Sequence, residues 1–179
     1  MSEKINVRGF VLKKKNLIND DLLVVILSRE LGKIAVMAKG ARKAKSRRAP
    51  YLQTGNLINA IIYQKYDMYF LLQTDLVSAF SQIRDSLSMS YLYQFLFTIE
   101  GILPQNEKEE KIFNLLQNYI ISLHKKENHE VYLKKFLTLL LSQLGYIDGS
   151  NKIDDIYKLA EEVVGRPLPK HAIISSYEK

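Results

Sequence analysis

The stretch Leu22-Leu23-Val24-Val25-Ile26-Leu27-Ser28-Arg29-Glu30-Leu31-Gly32-Lys33-Ile34-Ala35-Val36-Met37-Ala38 decides the fold of the first half of the chain. Its first six residues are a continuous apolar run rich in β-branched side chains, the signature of a strand buried on both faces. Arg29-Glu30-Leu31-Gly32 is a break of hairpin length that contains glycine, and residues 33–38 alternate again. Upstream, Ile5 and Val7 alternate with Asn6 and Arg8, the two-residue period of a half-buried strand. The apolar phase slips at Gly9 and resumes as Phe10-Val11-Leu12, which predicts a bulge or a sharp bend there. Downstream, residues 57–63 and 68–72 read as two further strands, with Lys65-Tyr66-Asp67 as the turn between them. Five short strands with a bent first member fit a small closed barrel of the OB-fold type. Periodicity alone fits a flat five-stranded sheet equally well.

From about residue 83 the period changes. Ile83, Leu87, Tyr91, Phe95 and Ile99 recur every fourth residue, and Gly101 and Pro104 end the pattern. Ile112, Leu115, Leu116, Tyr119, Ile120 and Leu123 make a second helical face. Residues 131–144 are apolar nearly all round, which predicts the central helix of a bundle, with Gly145 as its cap. Residues 153–164 form a fourth helix, closed by Gly165 with Pro167 just beyond. The expected architecture is therefore α+β with two domains: an OB-fold β-barrel over 1–80 and an all-α helical domain over 81–179.

Charge separates the same two halves. Residues 1–80 hold 14 Lys or Arg against 6 Asp or Glu, whereas residues 81–179 hold 12 against 13, so the net +7 belongs to the first half. A one-sided positive field attracts polyanions, chiefly nucleic acid or an anionic membrane surface. No stretch approaches the roughly 20 apolar residues of a membrane span. The opening Met1-Ser2-Glu3-Lys4 has no signal-peptide pattern, so a cytoplasmic location without membrane association is expected. There is no cysteine, which excludes disulfides, thiolate catalysis and thiolate zinc sites.

The most informative segment is Lys39-Gly40-Ala41-Arg42-Lys43-Ala44-Lys45-Ser46-Arg47-Arg48, in which six of ten residues are basic and none is acidic. It lies between two predicted strands, so it should be an exposed loop or short helix whose cations replace the counterions of a phosphate backbone. Lys13, Lys14 and Lys15 form a second cluster, readable also as protection of a sheet edge. Tyr51 follows the loop, and Tyr63, Tyr66, Tyr69 and Phe70 flank the last hairpin. Basic grooves with aromatic platforms hold single strands on barrels of this kind. The expected DNA-binding set is Lys39, Arg42, Lys43, Lys45, Arg47, Arg48, Lys13, Lys14, Lys15 and Tyr51.

Several strings together resemble the RecO family of recombination mediators. They are Gly9-Phe10-Val11-Leu12, the pair Asp20-Asp21 before a buried strand, Ser28-Arg29-Glu30-Leu31-Gly32-Lys33, and above all Ala38-Lys39-Gly40-Ala41-Arg42-Lys43-Ala44-Lys45-Ser46-Arg47. The likeness is strong to about residue 100 and resumes at Leu144-Gly145-Tyr146 and Gly165-Arg166-Pro167-Leu168. It implies an OB-fold joined to a helical domain, binding of single- and double-stranded DNA, strand annealing, and loading of recombinase. It also implies RecR and the C-terminal tail of the single-stranded-DNA-binding protein as partners. Many members carry a four-cysteine zinc module after the Leu-Gly-Tyr segment. Here residues 147–155 run straight into the last helix without a cysteine, so this is a short form without that module.

Nothing points to catalysis or to a cofactor. No Gly-rich loop ending in Lys-Ser/Thr occurs. His124, His129 and His171 lack metal-ligand spacing and read as surface residues. Asp20-Asp21, Glu109-Glu110, Asp154-Asp155 and Glu161-Glu162 are dispersed among different elements, with no two-metal grouping. Two other readings fit the basic loop: a stand-alone single-strand binder, and an adaptor that docks an acidic protein partner.

Overall fold

The computed structural model describes residues 3–80, 86–125, 128–147 and 155–169. Five strands, β1 (Lys4–Asn16), β2 (Leu22–Ser28), β3 (Gly32–Ala38), β4 (Leu57–Lys65) and β5 (Met68–Ser78), precede four helices. The helices are α1 (Ser86–Ile102), α2 (Glu110–Leu123), α3 (His129–Gln143) and α4 (Ile156–Val164). The strands close into a barrel in the order β1-β2-β3-β5-β4, in which only β3 and β5 run parallel. Barrel followed by helices is the OB-fold and all-α arrangement that the periodicities predict, and closure removes the flat-sheet alternative.

β1 explains how the barrel joins the helices. It pairs with β4 through Phe10 and with β2 from Gly9 onward, so Gly9 sits where the strand serves both partners. A Cβ at Gly9 would lie 2.3 Å from Ile26 Cγ2 and 2.8 Å from the Leu27 carbonyl oxygen, closer than any side chain tolerates. The register shift of the bulge or sharp bend expected at Gly9 falls three residues later, at Leu12, between Val11 and Lys13. The apolar phase does not slip. Val7 and Val11 point into the barrel, while Phe10 and Leu12 lie on its outer face and join the helical core. The apparent slip is a strand changing from one covered face to two.

Two apolar clusters result. One fills the barrel with Val7, Val11, Val24, Ile26, Ile34, Val36, Ile58 and Ile62. The other is shared: Phe10, Leu12, Leu27, Leu57 and Phe80 pack with Leu92, Phe95, Ile99, Phe113, Leu116, Tyr119, Leu137 and Leu140. Each such side chain stabilises the fold by about 1.5–3 kcal/mol through its burial, so the helices are bonded to the barrel by the same effect that holds each together.

The central helix is α1, not α3. Residues 94–99 are all buried, and α1 touches β1, α2, α3 and α4. α3 instead leaves Val131 62% and Leu139 38% exposed; apolar composition all round did not make it central. On α1, Leu87 is exposed at 47%, and Ile83 lies outside the described residues. The caps match expectation more closely. Gly145, at φ 80°, donates to Ser142 O while Tyr146 donates to Leu141 O, the paired closure of a Schellman motif. Asp155 caps α4 by accepting from the Tyr157 and Lys158 amides, so that helix begins at Ile156; Ile153 and Asp154 lie outside the described residues.

Candidate nucleic-acid interface

The basic segment is a braced loop of successive turns, not a helix. Its ends and middle are held from beneath. Ala41 and Leu52 are fully buried against the barrel interior. Asp21 Oδ1 accepts from the Gly40 amide at 2.6 Å, and the Asp20 carbonyl accepts from the Arg42 amide at 2.9 Å. Gly40 stands at φ 60°, a left-handed turn that glycine adopts without strain. The pair Asp20-Asp21 therefore anchors the loop through the Gly40 and Arg42 amides. No local signal in the sequence reveals this, because the partners lie 19 or more residues apart.

The six loop cations fall into three groups. Arg42 donates to the Leu17 carbonyl at 2.8 Å and stands 3.9 Å from the Asp20 carboxylate. Arg48 donates to the Lys39 carbonyl at 2.6 Å. These two guanidiniums stitch the loop to its neighbours. Lys43, Lys45 and Arg47 are exposed, and no hydrogen bond or ion pair is found for their side chains among the described residues. Lys39 lies over the Phe70 ring, 5.1 Å from its centroid, and Phe70 stacks on Tyr63 at 5.3 Å with 21° between the planes. The structure thus brings the start of the basic loop onto the aromatic pair of the last hairpin. That hairpin turns at Tyr66-Asp67, with Lys65 opposite Met68, and Lys65 covers the exposed Tyr66 ring at 5.7 Å.

The second lysine cluster is less uniform. Lys13 is 3.8 Å from the Glu100 carboxylate, and Lys14 donates to Gln53 Oε1, while Lys15 is exposed. Tyr51 is half-buried, with part of its ring packed on the barrel core and the rest open to solvent. His129 departs from expectation outright: it is buried, with Nε2 3.0 Å from Ser88 Oγ. It lies at the first residue of α3. His124 is exposed and His171 lies outside the described residues. Among the described residues, no three His, Asp or Glu side chains form a metal-binding group, and no helix is long and apolar enough to cross a membrane.

A second polar centre ties barrel to helices. Lys33 is buried and donates from Nζ to the Glu100 carbonyl at 2.7 Å, near the C-terminus of α1, where unpaired carbonyls favour a cation. Burial is the main influence on its ammonium and pulls the pKa below the ordinary lysine value. The Glu100 carboxylate takes Arg166 at 2.6 Å as well as Lys13, and Arg166 stacks over Phe97 at 4.1 Å. Gly32, at φ 73°, lies so near the α1–α2 connection that a Cβ would stand 1.7 Å from the Glu107 carbonyl oxygen.

Residues 1–80 match the family model described as recombination protein O, N terminal. A DNA repair protein RecO of Symbiobacterium thermophilum is 32% identical over 146 residues, covering 79% of this chain and 56% of its own length. That of Acetivibrio thermocellus is 25% identical over 163 residues, covering 86% and 65%, and that of Chlorobaculum parvum is 30% identical, covering 79% and 56%. The chain spans little more than half to two thirds of the length of these curated relatives. The closed barrel, the braced basic loop after β3 and this match fall on the same residues, so over residues 1–80 the chain is similar to the N-terminal domain of recombination protein O.

Proposed function

We propose that this protein acts in DNA repair as a recombination mediator that binds DNA through the loop of residues 39–48 and anneals strands without catalysing a reaction. The observation that carries the reading is the loop itself. Six cations stand on a backbone pinned by Asp20, Asp21 and Leu52, with Lys43, Lys45 and Arg47 directed at solvent. A pinned loop presents charge without losing the conformational freedom of the chain on binding. Phosphate contacts of this sort carry no sequence information and leave base edges free to pair. The stacked pair Tyr63 and Phe70 supplies a platform on which an unpaired base can stack when Lys39, which lies over Phe70, turns to a phosphate. Lys15 extends the cationic surface. Lys13 and Lys14, held by Glu100 and Gln53, join it only by exchanging those partners.

On this reading residues 1–80 form the DNA-binding unit and 81–179 a helical unit that steadies it, with the work done in the cytoplasm. RecR and the tail of the single-stranded-DNA-binding protein are the partners through which the mediator would load recombinase. The names of the relatives support repair; the braced loop supports DNA as the ligand.

The test is a labelled oligonucleotide titrated across a salt series, followed by annealing of complementary strands coated with the single-stranded-DNA-binding protein. With about four to six phosphates engaged, log affinity for a single strand should fall with log salt at a slope of roughly −3 to −4. Annealing should proceed without ATP and weaken with salt in parallel. Binding that ignores salt would remove the loop from this role. Tight binding without annealing would leave a stand-alone single-strand binder.

A further inference from the structure

The outer face of β1, β4 and β5 carries three side-chain rows, two of which the basic loop does not explain. Strand register places Lys4 opposite Tyr63 and Tyr63 opposite Phe70; Asn6 opposite Ile61 and Ile61 opposite Gln73; Arg8 opposite Asn59 and Asn59 opposite Asp75. The first row is the aromatic platform under Lys39. The second and third line a groove of about 380 Å³. Leu72 is an extra residue in β5 opposite the Ile61–Ile62 step, and this bulge sets Gln73 and Asp75 on the groove side.

We infer that this groove is a base-contacting subsite for single-stranded nucleic acid, continuous with the phosphate-binding loop. The inference rests on the nucleic-acid reading above and deepens it. Asn6, Asn59 and Gln73 are exposed carboxamides, each able to donate and to accept. That is the complement of an unpaired base edge, and Asp75 adds an acceptor suited to an exocyclic amine. Ile61, half-buried between them, gives an apolar floor for a base plane. Rows on one strand face repeat every two residues, about 7 Å. That is roughly twice the 3.4 Å rise of a stacked strand, so an unstacked chain can place one base per row. Charge fixes the orientation. Lys4 and Lys39 lie at the aromatic end, whereas in the groove Glu30 and Asp75 outnumber Arg8, so phosphates follow the basic rim and bases turn inward.

A strand-adding peptide fits this surface poorly. β4, the middle strand, is hydrogen-bonded along both edges, so the groove offers side chains and no free backbone. A duplex fits poorly too, because its Watson–Crick edges are already paired.

The experiment uses the full chain and the variant Asn59→Ala/Gln73→Ala. Both residues are exposed, and the one side-chain bond involved is a long 3.4 Å contact from Gln73 to Asp75. Three probes of equal length are compared: a mixed-sequence single strand, the same strand made abasic, and the duplex. Loss of two or more neutral hydrogen bonds should weaken single-strand binding about tenfold. The salt slope should not change, and affinity for the abasic strand and the duplex should stay at the wild-type level. A variant that binds the single strand as wild type does, or loses as much on the abasic strand, overturns the subsite and leaves the loop reading intact. A second variant, Asp75→Asn, keeps the shape of the groove and should reduce the preference for cytosine-rich over thymine-rich strands; an unchanged preference overturns the role of Asp75. Failure of the wild-type protein to bind any of the three probes would instead overturn the parent reading.

Discussion

Neutralising Lys43, Lys45 and Arg47 together to Gln should change how binding depends on salt while leaving the fold untouched. The magnitude follows from their surroundings. All three are exposed, and among the described residues their side chains show no hydrogen bond or ion pair, so each is available for one phosphate. A single-strand phosphate contact contributes about −0.7 to the slope of log affinity against log salt. Removing three should make the slope shallower by about 2. Raising salt from about 50 to 200 mM would then weaken the variant roughly 15–20-fold less than wild type. Thermal stability should move by no more than about 0.5 kcal/mol, because exposed charges without partners contribute little to folding. The paired control is Arg42→Gln/Arg48→Gln. Those guanidiniums bond the Leu17 and Lys39 carbonyls, so this variant should lower the melting temperature as well as the affinity. Fluorescence anisotropy over a salt series gives the slope, and thermal melting gives the stability. An unchanged slope in the triple variant, with affinity intact at moderate salt, would refute the assignment of these side chains to phosphate.

Gly32→Ala should cost about 2–4 kcal/mol, from a left-handed backbone and a Cβ that collides with the Glu107 carbonyl; a denaturant midpoint equal to wild type would contradict the geometry. Burial, aided by the nearby Glu130, Tyr91 and Asp155, lifts the Tyr157 phenol from 10.0 to about 12, and burial raises Tyr119 as well. Because the unfolded chain ionises first, the stability Tyr157 contributes is complete below about pH 10 and is lost as pH rises through 12, while the loss from Tyr119 extends to still higher pH. Tyr157→Phe should flatten that alkaline decline in a pH series of melts. A strong chelator should leave the melting temperature unchanged, since the chain has no cysteine to hold zinc; a shift would reveal a His or carboxylate site.

Strand periodicity and loop charge were legible because both are local. Alternation in residues 33–38 and the six cations of residues 39–48 need no knowledge of what lies across the barrel. Contacts at long sequence separation were not legible. The grip of Asp21 on the Gly40 amide joins residues 19 apart, and the pairing of Arg29 with Asn114 joins residues 85 apart. Apolar composition misled twice for one reason: it reports how many neighbours a residue can bury against, not which. Phe10 and Leu12 read as a phase slip because a second covered face cannot be seen along one strand. Residues 131–144 read as a central helix, although α1, with Ser88, Ser90, Gln94 and Thr98 buried, holds that place. His129 was misread similarly, since a polar residue at a helix start gives no sign that Ser88 lies beneath it.

The strings that carry the family resemblance do two separate jobs, and the structure distinguishes them. Residues 39–47 present charge to solvent. Ser28-Arg29-Glu30-Leu31-Gly32-Lys33 instead forms a clamp. Ser28 Oγ accepts from the Glu30 and Leu31 amides, which tightens the turn. Arg29 lies over Phe113 at 5.2 Å, and Lys33 reaches the Glu100 carbonyl. Gly165-Arg166-Pro167-Leu168 arrives at the same place from the far end of the chain, with Arg166 on the Glu100 carboxylate and Leu168 in the helical core. Lys13 and Lys33 come from the barrel, whereas Arg166 follows α4, so Glu100 is the point at which strands β1 and β3 and the last helix meet α1. An exposed pair at such a junction is worth little, but Glu100 is largely shielded, at 20% exposure, and holds two cations over an apolar floor. Replacing it would leave Lys33 capping a carbonyl beside an uncompensated Arg166. If the loop binds a polyanion as proposed, it needs a platform that does not turn under the load, and the contacts of Lys13, Lys33 and Arg166 with Glu100 fix the barrel to the helices.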